Sequence, residues 1–293
     1  MSNKLRSAAF LFHFYNIVAL VSISNGLILR DNVEQCENLT LLQYQNPPGP
    51  LTALASLPSS GNTWVRHLLQ MATGRLTGSV YGEDDGKIHE GFPGSNVHNG
   101  SVIVIKDHFM RNMPTTKKIS SYDRIILITR NPIFQWIGLK LKAILSRIAF
   151  LNGLKGGIRE IELSDHEILN YFNKDLARDL RIFVPFWRDW YEFFIDNYKR
   201  DQICIISYDD LKDGQADLIQ SLRPCVHFLG YQINDPLAQC LRKNQEGRHH
   251  RKKRQIEDAK HILSLIPQAE RKRYDKIMKK TYAKLAKQVR DEF

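Results

Sequence analysis

The chain has 293 residues, 43% of them hydrophobic and 10% aromatic, with four Cys and 42 Lys+Arg against 31 Asp+Glu. That length and apolar content support one sizeable core and exclude a disordered chain or a collagen, and four cysteines exclude a disulfide-dense scaffold. The net charge of +11 is concentrated late: residues 241–293 hold 17 Lys+Arg and 7 Asp+Glu, a block that suits a polyanionic partner or a solvated helix face.

In chain order, Lys4 and Arg6 precede an apolar run from Ala8 to about Val21, and Ser22, Ser24, Asn25 and Gly26 follow. Basic flank, apolar centre and small residues compose a targeting segment over residues 1–29. Counted through Leu29 it is long enough for one tilted span, and its basic N-terminal flank predicts a single-pass type II membrane protein with a luminal domain. Ser22 and Ser24 as a cleavage site give a secreted protein instead. Both routes enter the secretory pathway, and the sequons at Asn38 and Asn99 are the predicted glycosylation sites. Luminal routing leaves no nucleic acid for the basic tail to bind. Residues 30–50 are polar, end in Asn46-Pro-Pro-Gly-Pro50 and read as a linker; one domain then covers 51–293.

Within that domain short apolar strands alternate with helices. Thr52–Leu57, Val102–Ile105, Arg124–Thr129 and Ile203–Ser207 read as strands, the last three as buried ones rich in β-branched residues. Helices are expected from Trp64, from Pro132, over the aromatic-rich stretch 164–199, and after residue 207. The alternation predicts an α/β three-layer sandwich with a central, mostly parallel sheet. Tyr274, Met278, Leu285 and Val289 form an apolar stripe on a last, Lys-rich helix, expected to face the core. Cys204, inside a strand, reads as a buried small hydrophobe, and Cys225 with Cys240 is the favoured disulfide.

The turn between the first strand and the first helix is Leu57-Pro-Ser-Ser-Gly-Asn-Thr-Trp64. Strand, tight turn and helix N-terminus together make an anion site, because unbonded amides and the positive end of the helix dipole point the same way. Gly61 permits close approach, and Ser59, Ser60 and Thr63 add hydroxyls. It is neither a Walker A loop nor GxGxxG, and it has no Lys for a γ-phosphate, which argues against a nucleotide-dependent kinase.

The Pro58–Trp64 pattern resembles the 5′-phosphosulfate loop of sulfotransferases that use 3′-phosphoadenylyl sulfate (PAPS). The stretch LASLPSSGNTWVRHLLQMATGRLTGSVY is especially similar to the WSC-domain-containing sulfotransferases, Golgi proteins that sulfate glycans. Val104-Ile-Lys106-Asp-His108, Ile128-Thr-Arg130-Asn-Pro132 and Ile206-Ser-Tyr208-Asp-Asp-Leu211 resemble the motifs that follow in that family, in the same order. No WSC module is visible. The resemblance implies a P-loop-like fold and transfer of a sulfuryl group from PAPS to a carbohydrate hydroxyl on a glycoprotein or glycolipid, without a metal, at the Golgi membrane.

It also implies roles. Ser59, Ser60, Gly61, Asn62 and Thr63 would hold the 5′-phosphate, Trp64 would lie near the adenine, Arg130 would clamp the 3′-phosphate, and Tyr208 would sit close to the nucleotide. Arg242, Lys243 and Arg248 stand where relatives carry a basic segment over the 3′-phosphate. His108 is the expected general base, and Lys106, two residues earlier on the same strand face, the expected charge stabiliser. Three departures mark the chain. Ser59 replaces a Lys, which leaves the leaving group to Lys106, Arg66 or the loop amides. Gly138 replaces a Ser, which leaves the 3′ clamp either weaker or completed elsewhere, with Lys140 the candidate. Asp107 replaces a Thr, where it would pair with Lys106 or act on His108. A catalytically inactive nucleotide- or glycan-binding protein is the alternative reading.

Overall fold

The computed structural model describes residues 42–81, 91–109, 121–154, 161, 163–173, 175–212, 217–246 and 259–288. Five strands form one sheet: β1 (Thr52–Ala55), β2 (Gly78–Ser79), β3 (Ile105–Asp107), β4 (Arg124–Thr129) and β5 (Ile203–Ser207). The order is β2-β3-β1-β4-β5 and every pairing is parallel. Among the described residues nine α-helices are interspersed with these strands: α1 (Asn62–Thr73), α2 (Pro132–Leu151), α3 (Asp165–Asn173), α4 (Leu176–Asn197), α5 (Tyr208–Lys212), α6 (Leu218–Phe228), α7 (Asp235–Asn244), α8 (Ala259–Ser264) and α9 (Gln268–Ala286).

The period-2 geometry of strands sorts their side chains into two layers. Leu54, Ile126, Ile128, Cys204 and Ile206 pack with residues of α1, α6 and α7. Ala53, Ala55, Ile125, Leu127 and Ile203 pack with α4 and α9 on the opposite face. Both faces are covered, so β1, β4 and β5 turn apolar side chains to each of them, and the fold is the expected α/β three-layer sandwich. A third apolar cluster, including Ile137, Phe172, Val184, Ile262 and Tyr274, joins α2, α3, α4, α8 and α9 beside the sheet. Each fully buried Ile or Leu contributes about 1.5–3 kcal/mol. On α9, Tyr274, Met278 and Leu285 face inward, while its lysines remain in solvent; Val289 lies outside the described residues.

Several boundaries differ from those read in the sequence. Val102, Ile103 and Val104 are buried, but the strand hydrogen-bonded to its neighbours is Ile105–Asp107. Apolar runs mark burial; the ladder begins only where β1 runs alongside. Residues 42–50, at the end of the expected linker, are folded onto the domain. Leu42 is buried, Gln43 exchanges backbone hydrogen bonds with Gly74 and Leu76, and the Gln45 amide donates to the carbonyls of Gly100 and Val102. No helix among the described residues is long and apolar enough to cross a membrane; the apolar segment within 1–29 lies outside them.

The cysteine pairing is also corrected. Cys204 bonds to Cys225, with their Cα atoms 5.6 Å apart, and Cys240 is disulfide-bonded as well. Cys204 points to the sheet face that carries α6, where Cys225 is fully buried. The bond closes a span of 21 residues, worth on the order of 3 kcal/mol on loop entropy alone.

Candidate functional site

The site lies at the carboxyl ends of the strands, where open parallel sheets bind ligands. β1 is central, so the turn that follows it is flanked by the ends of β3 and β4. Ser59 and Gly61 both have left-handed backbone, at φ 66° and 84°, which folds the chain tightly into α1. Gly61 O accepts the N–H groups of Trp64 and Val65 at 2.9 and 3.0 Å, and no side chain caps the helix. The first-turn amides therefore lie ahead of the helix ladder, at the positive end of its dipole.

Not all of the loop's side chains serve a ligand. Ser60 is fully buried with its hydroxyl sealed in. The Asn62 side-chain amide turns back and donates to Leu54 O and Ser56 Oγ, both at 3.0 Å. These two residues shape the loop from within. Ser59 and Thr63 remain half-exposed beside the amides.

On the β4 side, Arg130 donates from Nη1 to Ser59 O at 2.5 Å, and its guanidinium stacks 4.5 Å over the Tyr208 ring. Tyr208 lies against Gly61 so closely that a Cβ there would be 2.3 Å from the ring. Two residues absent from the sequence reading brace this corner. Gln135 donates to Pro58 O at 3.0 Å, and Asp209 accepts the Asn131 N–H at 2.7 Å. Gly138 stands beside Arg130 and Ser59 with room for a side chain, since its Cβ would lie 3.7 and 3.8 Å from them. Lys140 does not complete that corner: it is ion-paired to Asp179 at 2.7 Å. Arg66 is not at the loop either. It is fully buried and donates to Thr77 and Ser95, because its position on α1 faces the core under β2. A cavity of about 430 Å³ opens beyond Asn131, lined by Thr129, Ser207, Asp209, Asp210 and Tyr282 among others.

On the β3 side, Lys106 is paired in register with Leu54, and His108 follows the end of the strand. His108 Nδ1 is 2.6 Å from Ser56 O. A carbonyl only accepts, so in the neutral ring Nδ1 carries the proton and Nε2 keeps the lone pair. Ser56 also adjoins the loop through Asn62. Imidazole, loop and guanidinium thus border one turn.

Asp107 points away from both neighbours, as strand alternation requires. It accepts the Phe109 N–H at 2.6 Å and the Tyr122 hydroxyl at 3.1 Å, so it pairs with neither Lys106 nor His108. Burial raises its carboxyl pKa above 3.8, opposed in part by those two hydrogen bonds; the Tyr122 phenol is pushed up by its own burial and by the Asp107 charge. The sign follows. The folded chain holds this proton longer than the unfolded chain, so the group's contribution to stability is complete below the unfolded value. It is lost as pH rises through the folded value. Asp107→Asn can accept both hydrogen bonds without ionising. Its stability relative to the wild type is expected to improve between pH 4 and pH 7 in chemical denaturation. A relative stability that does not change with pH would count against this account.

Known proteins place the chain. No family model matches it. A WSCD family member of Aedes aegypti is 34% identical over 204 residues, 70% of this chain and 58% of that protein. Another, from Drosophila melanogaster, is 33% identical over 220 residues, 75% of this chain and 61% of that protein. The chain is thus similar to WSCD family members. The chain spans less than two thirds of the length of these relatives. Among solved structures it is similar to mouse sulfotransferase SULT7A1 complexed with PAP, at 15% identity and a TM-score of 0.45, covering 79% of this chain and 83% of that one.

The remaining expected residues make the following contacts. Trp64 packs edge-on against Tyr208, at 5.7 Å between ring centres, and donates to Gln245 O at 2.6 Å. Together with His67, 2.9 Å from Asn244 O, it fastens the end of α7 to α1. These contacts hold the half-exposed indole between α1 and the end of α7. Arg242 is exposed and ion-paired to Asp217 at 2.6 Å, and Lys243 is exposed on the same helix. Asn99 is exposed, its Oδ1 accepting from the Ser101 amide and hydroxyl. Arg248 and Asn38 lie outside the described residues.

Proposed function

We propose that the chain is a sulfotransferase that moves a sulfuryl group from PAPS to a hydroxyl of a glycan acceptor. The observation that carries this reading is the single turn bordered by Arg130 through Ser59 O and by His108 through Ser56. An anion cradle, a guanidinium and a base with a defined lone pair are the parts such a transfer uses. The 5′-phosphate would rest on the first-turn amides of α1 with Ser59 and Thr63, and the 3′-phosphate on Arg130, held flat on Tyr208. The acceptor oxygen attacks sulfur in line. Its bond to sulfur forms as the bond from sulfur to the bridging phosphate oxygen breaks, and the acceptor proton passes to His108 Nε2. The products are the sulfate ester and adenosine 3′,5′-bisphosphate. Lys106 would stabilise charge on the moving group, and positioning supplies most of the rate. The luminal Golgi location and type II anchor belong to the same proposal and agree with the exposed Asn99 sequon.

The test is turnover with labelled PAPS across a panel of glycans, beside ATP with Mg²⁺. Sulfated product supports the reading. Binding of adenosine 3′,5′-bisphosphate without turnover on any acceptor would instead favour an inactive binding protein, and ATP hydrolysis a kinase. Arg130→Ala is expected to weaken adenosine 3′,5′-bisphosphate binding by about 10- to 100-fold, as for loss of one charge-assisted contact. Calorimetry reads this directly, and unchanged affinity would remove Arg130 from the site.

A further inference from the structure

Tyr81 closes the stretch that carries the resemblance but is given no role by it, and it touches both Lys106 and His108 at the end of β3. Its hydroxyl accepts the backbone N–H of His108 at 3.0 Å. Its ring lies 5.3 Å from the imidazole, inclined by 39°. The Lys106 ammonium sits 5.2 Å from the same ring's centre, and Lys106 is only 6% exposed.

The position explains the contacts. The sheet holds the backbone of β3 as far as Asp107, whose carbonyl accepts from Ser56 N at 3.3 Å; on the other side Val80 N donates to Lys106 O at 3.1 Å. At His108 the ladder has ended. The next residue, Phe109, is already left-handed at φ 51°. The His108 N–H needs an acceptor where no strand supplies one, and the Tyr81 hydroxyl provides it. The ring then backs the imidazole while Ser56 O holds Nδ1. A ring free to swing from that bond would lose the tautomer that leaves the lone pair on Nε2.

We propose that Tyr81 is a positioning residue: it takes over from the sheet at the end of β3 and sets the orientation of His108 and, through its π face, of Lys106. The inference rests on the reading of His108 as the base. Its test therefore has one arm that needs no reaction.

That arm is ¹⁵N NMR of the histidine rings in the full chain without donor, with the His108 signal assigned by its loss in His108→Gln. Wild type is expected to show His108 protonated at Nδ1. Tyr81→Leu, which loses ring and hydroxyl, is expected to shift that signal toward a mixture of tautomers. In the reaction it is expected to lower kcat by about 10- to 100-fold with KM for PAPS within about twofold, and to alter the pH profile of kcat. Tyr81→Phe keeps the ring and is expected to retain kcat within about fivefold, the scale of one neutral hydrogen bond. A His108 signal in Tyr81→Leu identical to wild type would overturn the inference, whether or not any acceptor is found. So would a kcat in the Leu variant equal to that of the wild type. If the wild type transfers no sulfate but the tautomer shifts in Tyr81→Leu, the positioning role stands and the proposed reaction fails.

Discussion

His108→Ala is expected to lower the rate of sulfate transfer by about 10² to 10⁴, the range for removal of a positioned general base. The geometry makes this a test of chemistry rather than of binding. Nδ1 is committed to Ser56 O, so only Nε2 is oriented to take a proton. The guanidinium and first-turn amides assigned to the phosphates come from Arg130 and α1, not from β3. Binding of adenosine 3′,5′-bisphosphate should therefore stay within about twofold of wild type, measured by calorimetry on the protein used for turnover. Full activity in the variant would mean that another group accepts the proton. Joint loss of binding and turnover would mean that the imidazole holds the loop rather than the reaction.

Gly61→Val should collapse the nucleotide site. Two penalties coincide at this position. The backbone is left-handed at φ 84°, which costs a β-branched residue on the order of 1–3 kcal/mol. A Cβ would also fall 2.3 Å from the Tyr208 ring, and that ring cannot withdraw without leaving the Arg130 guanidinium stacked 4.5 Å from it. The combined loss is expected at about 3–5 kcal/mol, seen as a fall in melting temperature and loss of detectable nucleotide binding. The double variant with Tyr208→Ala separates the two causes. Removing the ring relieves the clash and leaves the backbone strain, so the cost of Gly61→Val should shrink in that background. An equal cost in both backgrounds would show that ring contact plays no part.

The residues that met expectation and those that did not differ in a physical way. Strand composition, the Ser-Ser-Gly turn and a Pro at the start of α2 are local signals, each written in a few consecutive residues whose backbone preferences act alone. They made the layered sheet and the tight turn from β1 into α1 legible. Contacts across the sheet were not. Arg66 sits in the loop stretch but on the inward face of α1, and Asp107 sits between Lys106 and His108 but on the other side of the strand. Lys140 is near Arg130 in the chain but is claimed by Asp179 on α4, and Cys204 meets Cys225 because their elements pack together.

What the amino-acid order determined by itself was the set of parts and their succession: parallel strands, the helix-capping turn after β1, and basic or imidazole side chains placed just past strand ends. What only the tertiary structure decided was which of those parts share a space, and which silent residues support them. Ser56, Tyr81, Gln135 and Asp209 have no role that the sequence assigns, since what they do exists only across contacts spanning 27 to 78 positions of chain. Such contacts arise from close packing of whole layers, which local propensity does not encode.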